Sequence, residues 1–472
     1  MSWLNIIFIV YQIIAIIAVI HVIMDNRQPA KTMAWALVIY FVPVVGIVFY
    51  LFFGINHRKE RYVSERTMNQ LTKRSMLEFA EQHNLRLPDK HKPLIDLFVN
   101  QNLALPFKDN QVDICVDGYQ FISSLLNDIR QAKDHIHIDM YIFADDALGM
   151  LVSDALIDKR NEGVEVRLVY DDVGCWNVSH RFFERMREAG IEVRSFMPVR
   201  FPSFTSKVNY RNHRKIIVID GVVGYIGGMN IARRYVKGTA SQPWRDTMLR
   251  IKGGAVHALQ RAFLVDWYFV DRTLLSDSKY YPRCEEVVNN CLAQVVTSGP
   301  VTPYPEIMQG YVRIILGAKR YLYLETPYFL PNESVLFALK TAALGGVDVR
   351  VICPRHSDAK FVEWASRSYM REILEAGVKV FLYESGFLHS KMLVCDDAIA
   401  TCGSTNLDFR SFENNFEANI FFFDEGVALR MKNIFLRDQN QSVLFKEAKE
   451  QLQGGFFVRL WESVTRMLSP LF

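Results

Sequence analysis

Close cysteine pairs are missing from this sequence. Its seven cysteines are scattered over 472 residues, without the spacing typical of a zinc site or a redox pair. A large charge excess is missing too, because the net charge is only +4, and this gives no indication of a nucleic-acid partner. The sequence has no Gly-x-x-x-x-Gly-Lys loop, which argues against a nucleotide-driven reaction. Reduced, mostly buried thiols in a cytoplasmic domain are therefore expected.

Charged side chains are absent from two stretches near the N-terminus, residues 1–24 and 32–56. Each stretch is long enough to cross about 30 Å of hydrocarbon as a helix, and we expect spans at about residues 3–24 and 33–54. The short loop between them predicts a transmembrane hairpin over residues 1–56. Inside the second stretch, Pro43 and Gly46 favour a kink or a close helix contact.

The basic residues near these stretches are distributed unevenly. The loop has only Arg27 and Lys31, whereas a basic cluster follows the second stretch: Arg58, Lys59, Arg61, Arg66, Lys73 and Arg74. Because positive residues stay on the cytoplasmic side, we expect a multi-pass membrane protein whose main domain is cytoplasmic. A cleaved signal peptide is the alternative interpretation of the first stretch. It has no basic start, however, and a second span follows it directly.

The rest of the chain alternates strand-like and helical segments, which is typical of an α/β domain. A charged segment, residues 57–107, is predicted to be a helical connector. Beyond it, three strand patterns occur twice in the same order, and such internal repetition indicates duplication. The matching segments are residues 136–143 and 322–329, residues 163–169 and 346–352, and residues 187–193 and 374–380.

This duplication predicts two similar α/β domains, residues 108–290 and 291–450, related by a pseudo-twofold axis with a functional site between them. The C-terminal segment, residues 451–472, has apolar residues at helical spacing with basic residues between them. Two interpretations of this segment are open: it lies on the membrane surface, or it packs on the domain.

The most informative pattern is a histidine, a lysine two residues later and an aspartate five residues after that. It occurs twice, and a Gly-x-x-Asn sequence begins seven residues beyond each aspartate. All matched positions are displaced by the same interval, which is far stronger evidence than a single copy. The residues are His213, Lys215 and Asp220 with residues 227–230, and His389, Lys391 and Asp396 with residues 403–406.

Each lysine is followed by an apolar, β-prone run, so each His-Lys pair should project from one face of a strand. Asp220 and Gly221 predict a tight hairpin turn, and the returning strand would bring the Gly-x-x-Asn sequence alongside the pair. We expect Asn230, Asn406 and Ser404 to donate hydrogen bonds to a phosphate whose charge the two lysines neutralise.

Two histidines at one phosphate are sufficient for a two-step exchange that uses no metal and no cofactor. One imidazole can attack phosphorus while the other protonates the departing oxygen. A histidine in a strand is often only a buried hydrogen-bonding residue, and a lysine usually lies at the surface. That interpretation leaves the repeated pattern unexplained. The sequence therefore predicts a phosphoryl-transfer site between the two halves.

These motifs resemble those of the phospholipase D superfamily over about residues 110–430. The resemblance implies that His213 forms a phosphohistidine and that His389 acts as the acid and then the base, although the reverse assignment stays open. It also implies that Asp246, in Trp-Arg-Asp-Thr, and Glu417, in Asn-Phe-Glu-Ala, each orient an imidazole. The two motif aspartates are expected to support the site without contacting the substrate.

Within this superfamily, the whole chain resembles the bacterial cardiolipin synthases. The shared features are the two N-terminal stretches, residues 31–39, Pro43 with Gly46, residues 406–411 and residues 468–472. The resemblance implies that a phosphatidyl group passes from one phosphatidylglycerol to another at the bacterial inner membrane, with cardiolipin and glycerol as products. Phosphatidylglycerol and cardiolipin are then the lipid partners, and no nucleic acid is expected.

Other functions with the same chemistry stay open. With water or another alcohol as acceptor, the protein would be a membrane-tethered phospholipase D or a different phosphatidyltransferase. CDP-diacylglycerol is a possible donor, although the Asp-Gly-x-x-Ala-Arg signature of CDP-alcohol transferases is absent. A membrane-tethered nuclease would need a broad basic groove, which the small net charge does not favour. A non-enzymatic scaffold would not explain two intact motifs.

Overall fold

The computed structural model describes residues 3–25, 29–42, 44–54, 87–199, 209–239, 242–283, 291–302, 304–447 and 455–469. At the N-terminus it contains three helices, α1 (Trp3–Asp25), α2 (Pro29–Phe41) and α3 (Val45–Phe53). The second predicted span is thus divided in two. The sequence between α2 and α3 includes a proline, which has no backbone N–H for a continuous helix.

The three N-terminal helices contact one another. The Tyr11 hydroxyl donates a hydrogen bond to the Ile39 carbonyl (2.8 Å), and a Cβ on Gly46 would lie 2.4 Å from the Val38 carbonyl oxygen. The close contact expected at Gly46 is therefore present. Among the segments described above, no helix has both the length and the apolar composition needed to cross a membrane.

The predicted connector falls partly outside the described residues, which resume at residue 87. Its described part contains α4 (Lys92–Asn102). This helix packs against the last third of the chain, because the ring centroids of Phe98 and Phe421 are 4.6 Å apart. Gln294 also donates a hydrogen bond from its side chain to the Ile95 carbonyl (3.2 Å). The connector thus adds to the core of the second repeat.

The first repeat, called the first half below, alternates strands and helices. Its elements are β1 (Pro106–Cys115), α5 (Gly118–Gln131), β2 (His135–Met140), α6 (Ala147–Asn161), β3 (Glu165–Asp171), α7 (His180–Glu188), β4 (Glu192–Phe196), β5 (Lys215–Ile219), β6 (Val223–Gly227), α8 (Arg234–Lys237), β7 (Trp244–Arg245), β8 (Met248–Lys252) and α9 (Ala255–Asp271). A 3₁₀ turn, Ser278–Tyr280, follows α9.

The second repeat, called the second half, has the same order with a few additions. Its elements are β9 (Cys291–Ser298), α10 (Glu306–Gly317), β10 (Tyr321–Glu325), β11 (Phe329–Leu330), α11 (Glu333–Leu344), β12 (Asp348–Pro354), α12 (Lys360–Glu375), β13 (Lys379–Tyr383), β14 (Phe387–Leu388), β15 (Met392–Cys395), β16 (Ile399–Gly403), β17 (Leu407–Asp408), α13 (Phe409–Glu413), β18 (Glu417–Phe422), α14 (Glu425–Gln439) and β19 (Ser442–Leu444). A 3₁₀ turn, Phe445–Glu447, and α15 (Phe456–Met467) end the described chain.

Fifteen strands form one sheet, in the order β19-β13-β12-β10-β15-β16-β18-β9-β1-β8-β6-β5-β2-β3-β4. The strands β1 and β9 pair antiparallel at its centre. Outward from this pair, the two sides contain equivalent strands in the same order, and β19 is an additional strand at one edge. The predicted α/β duplication is confirmed, and the antiparallel central pair relates the two halves by a pseudo-twofold axis.

Helices cover both faces of the sheet because its strands are apolar on both sides. Ile216 and Val218 of β5 pack with α9 in a core that also contains α14 and strands of both halves. Ile217 and Ile219, on the opposite face, pack with α5, α6 and α7. A third core lies beneath α4, α10, α11 and α12. The shared core holds the two central hairpins, β5–β6 and β15–β16, in one rigid sheet.

Candidate active site

Each His-Lys pair lies at the start of a buried hairpin strand, one on each side of the central β1–β9 pair. Strand β5 pairs with β6, with Ile216 opposite Ile226. Strand β15 pairs with β16 in the same way, with Met392 opposite Cys402. The hairpin predicted at Asp220 and Gly221 is therefore present, and the second motif repeats it. Both lysine side chains and His389 are buried, and the His213 side chain is only 12% exposed, so a charged substrate would meet these groups in a poorly hydrated site.

The backbone of each motif pairs with the other half of the protein. The His213 N–H donates to the Phe416 carbonyl (2.9 Å), and the His389 N–H donates to the Arg245 carbonyl (2.7 Å). These contacts belong to two short parallel pairings, one next to β18 and one between β7 and β14. The two motifs are thus positioned by the same contacts that join the halves.

Each histidine contacts the acid that directly follows its backbone partner along the chain, Glu417 after Phe416 and Asp246 after Arg245. His213 Nδ1 is 3.0 Å from Glu417 Oε1, and His389 Nδ1 is 2.6 Å from Asp246 Oδ2. A carboxylate can only accept, so Nδ1 of each ring carries the proton and Nε2 is left to react. Each histidine therefore takes its acidic partner from the opposite half.

The lysines lie beside their own histidines. Lys215 Nζ donates to the His213 carbonyl (2.6 Å), and Lys391 Nζ lies 2.9 Å from His389 Nδ1. Burial, together with the charge of Lys391, lowers the pKa of Lys215 to about 7, with Glu417 opposing. Burial likewise lowers the pKa of Lys391, although nearby carboxylates oppose it. A bound phosphate anion would favour the charged form of both ammonium groups.

Burial and the lysine charges also lower the pKa values of both histidines. Lys391 contributes to the shift at His213, and Lys215 contributes to the shift at His389. The two motifs are therefore close enough to share one electrostatic environment. Burial alone would raise the pKa values of the two acids, but the nearby lysine and histidine groups hold them below the ordinary range. Before a phosphate binds, these shifts favour neutral imidazoles and ionised carboxylates.

The motif aspartates lie at the opposite end of the strands from the histidines. Asp220 accepts hydrogen bonds from the backbone N–H groups of Lys133 (2.8 Å), Asp134 (2.8 Å) and His135 (2.9 Å). Asp396 accepts three equivalent bonds from residues 319–321. Both aspartates have positive φ at the hairpin turns. Although they belong to the catalytic motif, their contacts join two strands and a loop, so they support the site from a distance.

The predicted phosphate-binding side chains are engaged in protein contacts. Asn230 Oδ1 accepts from the Ile142 N–H (3.0 Å), and its amide donates to the Tyr235 hydroxyl (2.5 Å). Ser404 Oγ donates to the Glu417 carboxylate and accepts from the Ala418 N–H (3.0 Å). The Ser404 hydroxyl proton is thus used within the protein, whereas the Asn230 amide has a second N–H, and the expected phosphate contact of these two residues stays a prediction.

Asn406 differs from its equivalent in the first half. Its side-chain carbonyl oxygen is buried without a hydrogen-bond partner in the described structure, while its backbone N–H donates to Ser411 Oγ (3.3 Å). It lies directly before β17, and its contact with the substrate stays a prediction.

Several aromatic residues at the site were missed from the sequence. The Tyr141 ring lies 4.9 Å from the His213 ring, and the Trp244 and Tyr328 rings lie 5.3 and 6.3 Å from His389. Tyr141 and Tyr328 follow β2 and β10, so the repeated strand ends were a usable signal. These rings exclude water from the imidazoles and leave apolar surface for the rest of a substrate.

Buried arginines also support the two acids. Arg214 donates from Nε to the Glu417 carbonyl (3.2 Å), and Arg245 donates to the Asp246 carbonyl (2.7 Å). Arg214 pairs with Asp266, and Arg245 lies 2.7 Å from Asp438. The aligned positions in the second half carry serine and phenylalanine, so both arginines come from the first half. Within the described segments, no three His, Cys, Asp or Glu side chains are grouped as metal ligands.

A duplicated sheet with paired His-Lys motifs defines the phospholipase D class of phosphodiester-transferring folds. A family model described as cardiolipin synthase, PLD-like domain matches residues 125–267 and 311–439, and one described as phospholipase D-nuclease N-terminal matches residues 13–54. The chain belongs to the bacterial cardiolipin synthase family of the phospholipase D superfamily.

Individual relatives agree with this assignment. The chain is 39% identical to the major cardiolipin synthase of Bacillus subtilis, covering 97% of this chain and 96% of that protein. It is also 39% identical to a cardiolipin synthase of Oceanobacillus iheyensis, covering 96% of each. The fold is similar to that of the phosphatidylserine synthase of Haemophilus influenzae, with a TM-score of 0.64 and 15% identity over 81% of this chain and 100% of that chain.

Proposed function

We propose that the protein joins two phosphatidylglycerol molecules to give cardiolipin and glycerol. The observation that carries this proposal is that both histidines bind a carboxylate through Nδ1 and leave Nε2 free at one lysine-lined site. The names of the full-length relatives supply the substrate class.

In the first step, Nε2 of His213 attacks the phosphorus of one phosphatidylglycerol. His389 enters this step as an imidazolium, which Asp246 and the bound phosphate anion favour against the burial and lysine charges that lower its pKa. A P–N bond forms, the P–O bond to glycerol breaks, and the departing oxygen takes the Nε2 proton of His389, which leaves that imidazole neutral. In the second step, His389 removes the proton from a hydroxyl of another phosphatidylglycerol. That oxygen attacks phosphorus, the P–N bond breaks, and cardiolipin leaves.

The charges of the site support this sequence of steps. His213 must be neutral to attack, which its lowered pKa favours. Glu417 and Asp246 stabilise the positive charge that each imidazole acquires during the exchange. Lys215 and Lys391 stabilise the phosphoryl oxygens. The reverse assignment, with His389 as the nucleophile, predicts the same products and is distinguished by which histidine is labelled.

We also propose that α1 and the α2–α3 pair lie in the bacterial inner membrane as a multi-pass anchor, with the two sheet halves on the cytoplasmic side. The apolar composition of residues 3–24 and 33–54 and the basic cluster after them support this topology. Cysteine labelling of intact cells at residues 26–28 tests the topology: these loop positions should react with an impermeant reagent, and protection would contradict it.

We further propose that the two halves span about residues 108–290 and 291–450, which the strand order supports.

The activity test uses purified full-length protein in detergent micelles with phosphatidylglycerol alone. Cardiolipin and glycerol should appear in equal amounts, and His213→Ala should abolish both products. His180→Ala is the matched control because that histidine is exposed on α7. Phosphatidic acid without cardiolipin would identify water as the acceptor. No turnover would contradict the proposal and lead to CDP-diacylglycerol and single-stranded DNA as the next substrates.

The intermediate is tested by stopping the reaction in base, which preserves a phosphohistidine, and mapping the modified peptide. A phosphatidyl group on the peptide that contains His213 supports the assignment above. The group on His389 would reverse the roles. A third residue carrying it would contradict the proposed mechanism.

A further inference from the structure

The C-terminal helix α15 packs on α12 through its polar side. Glu462, Thr465 and Ser469 are buried, and Arg371 of α12 forms an ion pair with Glu462. Arg466 also pairs with Glu372 (2.5 Å). Because ion pairs and buried polar residues attach this helix to its domain, its apolar side is available for another contact.

Those apolar residues form a surface turned away from the domain. The exposed fractions are 74% for Phe456, 81% for Phe457 and 80% for Met467. The other exposed apolar residues of this helix are Val458, Leu460, Trp461, Val464 and Leu468. A contiguous apolar face of this kind is unusual in water and marks an interaction site.

The same surface continues onto the start of α12, close in sequence to a residue that contacts the catalytic site. The Trp461 ring lies 5.9 Å from Trp364, which lies 5.5 Å from the half-exposed Phe361. Just before α12, Asp358 accepts a hydrogen bond from the Tyr328 hydroxyl (2.9 Å). The Tyr328 ring in turn lies beside His389. One short path therefore joins the exposed helix face to a catalytic histidine.

We propose that α15 and the start of α12 form a bilayer-binding surface that sets the His389 side of the site against the membrane. The occupant is the interfacial layer of an anionic lipid bilayer. Aromatic and aliphatic side chains would enter the acyl boundary, while the exposed Arg459 and Lys360 contact anionic headgroups. This deepens the proposed function, on which it rests, because a lipid substrate could reach the site without leaving the membrane.

The surface is tested in full-length protein reconstituted into phosphatidylglycerol–phosphatidylcholine vesicles. Phe457→Cys and Val464→Cys carry an environment-sensitive dye, and spin-labelled lipid is the quencher. Val222→Cys is the matched control, because Val222 is also an exposed apolar residue (45%) but follows the turn at the far end of β5 from Lys215. The unsubstituted protein gives the background from native cysteines.

Quenching at positions 457 and 464 should exceed that at 222 by at least about threefold, because only the first two would enter the lipid. Equal quenching at all three positions would overturn the proposal. Shielding of the dye at position 457 without lipid, together with cross-linking that increases with protein concentration, would show that a second copy of the chain covers this surface. That result would also overturn the proposal. Neither readout depends on enzymatic activity, so this arm stays informative if the proposed reaction fails.

A kinetic arm compares Val464→Glu with Val222→Glu. The first substitution should raise the KM for phosphatidylglycerol in vesicles roughly tenfold, because a charge at the acyl boundary opposes insertion. Turnover of a monomeric short-chain phosphatidylglycerol should be unchanged in both variants. An equal effect of Val464→Glu on monomeric and vesicle substrates would contradict a membrane role. An inactive wild type would instead refute the proposed function.

Discussion

His389 Nδ1 lies 2.6 Å from Asp246 Oδ2, although the two residues come from opposite halves of the sheet. His213 and Glu417 repeat this relationship in the other direction. A single half would therefore contain one histidine and one acid that do not belong to each other. The duplication completes the chemistry at each imidazole as well as supplying a second one.

Replacing Asp246 with asparagine should leave the fold intact and slow the reaction. The amide can still accept a hydrogen bond from His389, but it cannot offset the charge of the imidazolium. We expect kcat to fall by about 10²- to 10⁴-fold. Asp154→Asn, at an exposed acid on α6, is the control. Initial rates with circular dichroism of both variants provide the check, and a loss smaller than about tenfold would contradict the role of Asp246.

Gly228 packs against the Asp246 carboxylate, and we expect that no larger residue fits there. A Cβ on Gly228 would lie 2.2 Å from Asp246 Oδ1, whereas a Cβ on Gly317 would have no neighbour within 4 Å. Gly228→Ala should therefore displace the carboxylate from His389 and reduce kcat by on the order of 10- to 100-fold. Gly317→Ala should change kcat little. Similar rates for the two variants would show that the carboxylate can move without cost.

Much of this arrangement is local and was predicted from the sequence. The apolar runs after Lys215 and Lys391 indicated strands, Asp220 with Gly221 indicated the turn, and the repeated spacing indicated duplication. The pairing of each histidine with the opposite half was not predicted, because sequence periodicity describes neighbours along the chain and not contacts between distant strands. The division of the second N-terminal stretch, by contrast, agrees with the kink that its proline predicted.

Ser404 illustrates the same limit, since its sequence position suggested a phosphate donor but its hydroxyl binds Glu417. Ser404→Ala should lower kcat about tenfold, because an ionised acceptor loses one hydrogen bond, while KM changes less than about twofold. A serine that bound the substrate phosphate would raise KM instead. Steady-state kinetics on micelles separate the two, with Ser278→Ala, at an exposed serine, as the control.

Asp220 should matter for stability more than for chemistry. Asparagine tolerates the positive φ of 52° at this turn, but its neutral oxygen is a weaker acceptor for three backbone N–H groups. Asp220→Asn should lower the free energy of unfolding by about 1–3 kcal/mol. The kcat of its folded fraction should fall far less than that of Lys215→Met. Denaturant titration and rate measurements on the same preparation test this prediction. A fall in kcat as large as that of Lys215→Met would place Asp220 in the reaction.

Lys215 should make the free energy of unfolding depend on pH. Its pKa is about 7 in the folded protein, mainly because of burial, against an ordinary value of 10.5. Between these values the unfolded chain binds a proton that the folded protein does not, so stability rises with pH across this window. Below the folded pKa, the full cost of burying the charge is present.

The variant Lys215→Met removes that cost and should be more stable than the wild type at about pH 6.5, with a smaller difference at about pH 9.5. Denaturant titrations at both pH values measure the difference. Lys92→Met, at an exposed lysine on α4, should show no such change with pH, and a constant difference for Lys215→Met would mean that its ammonium is not the source of the pH dependence.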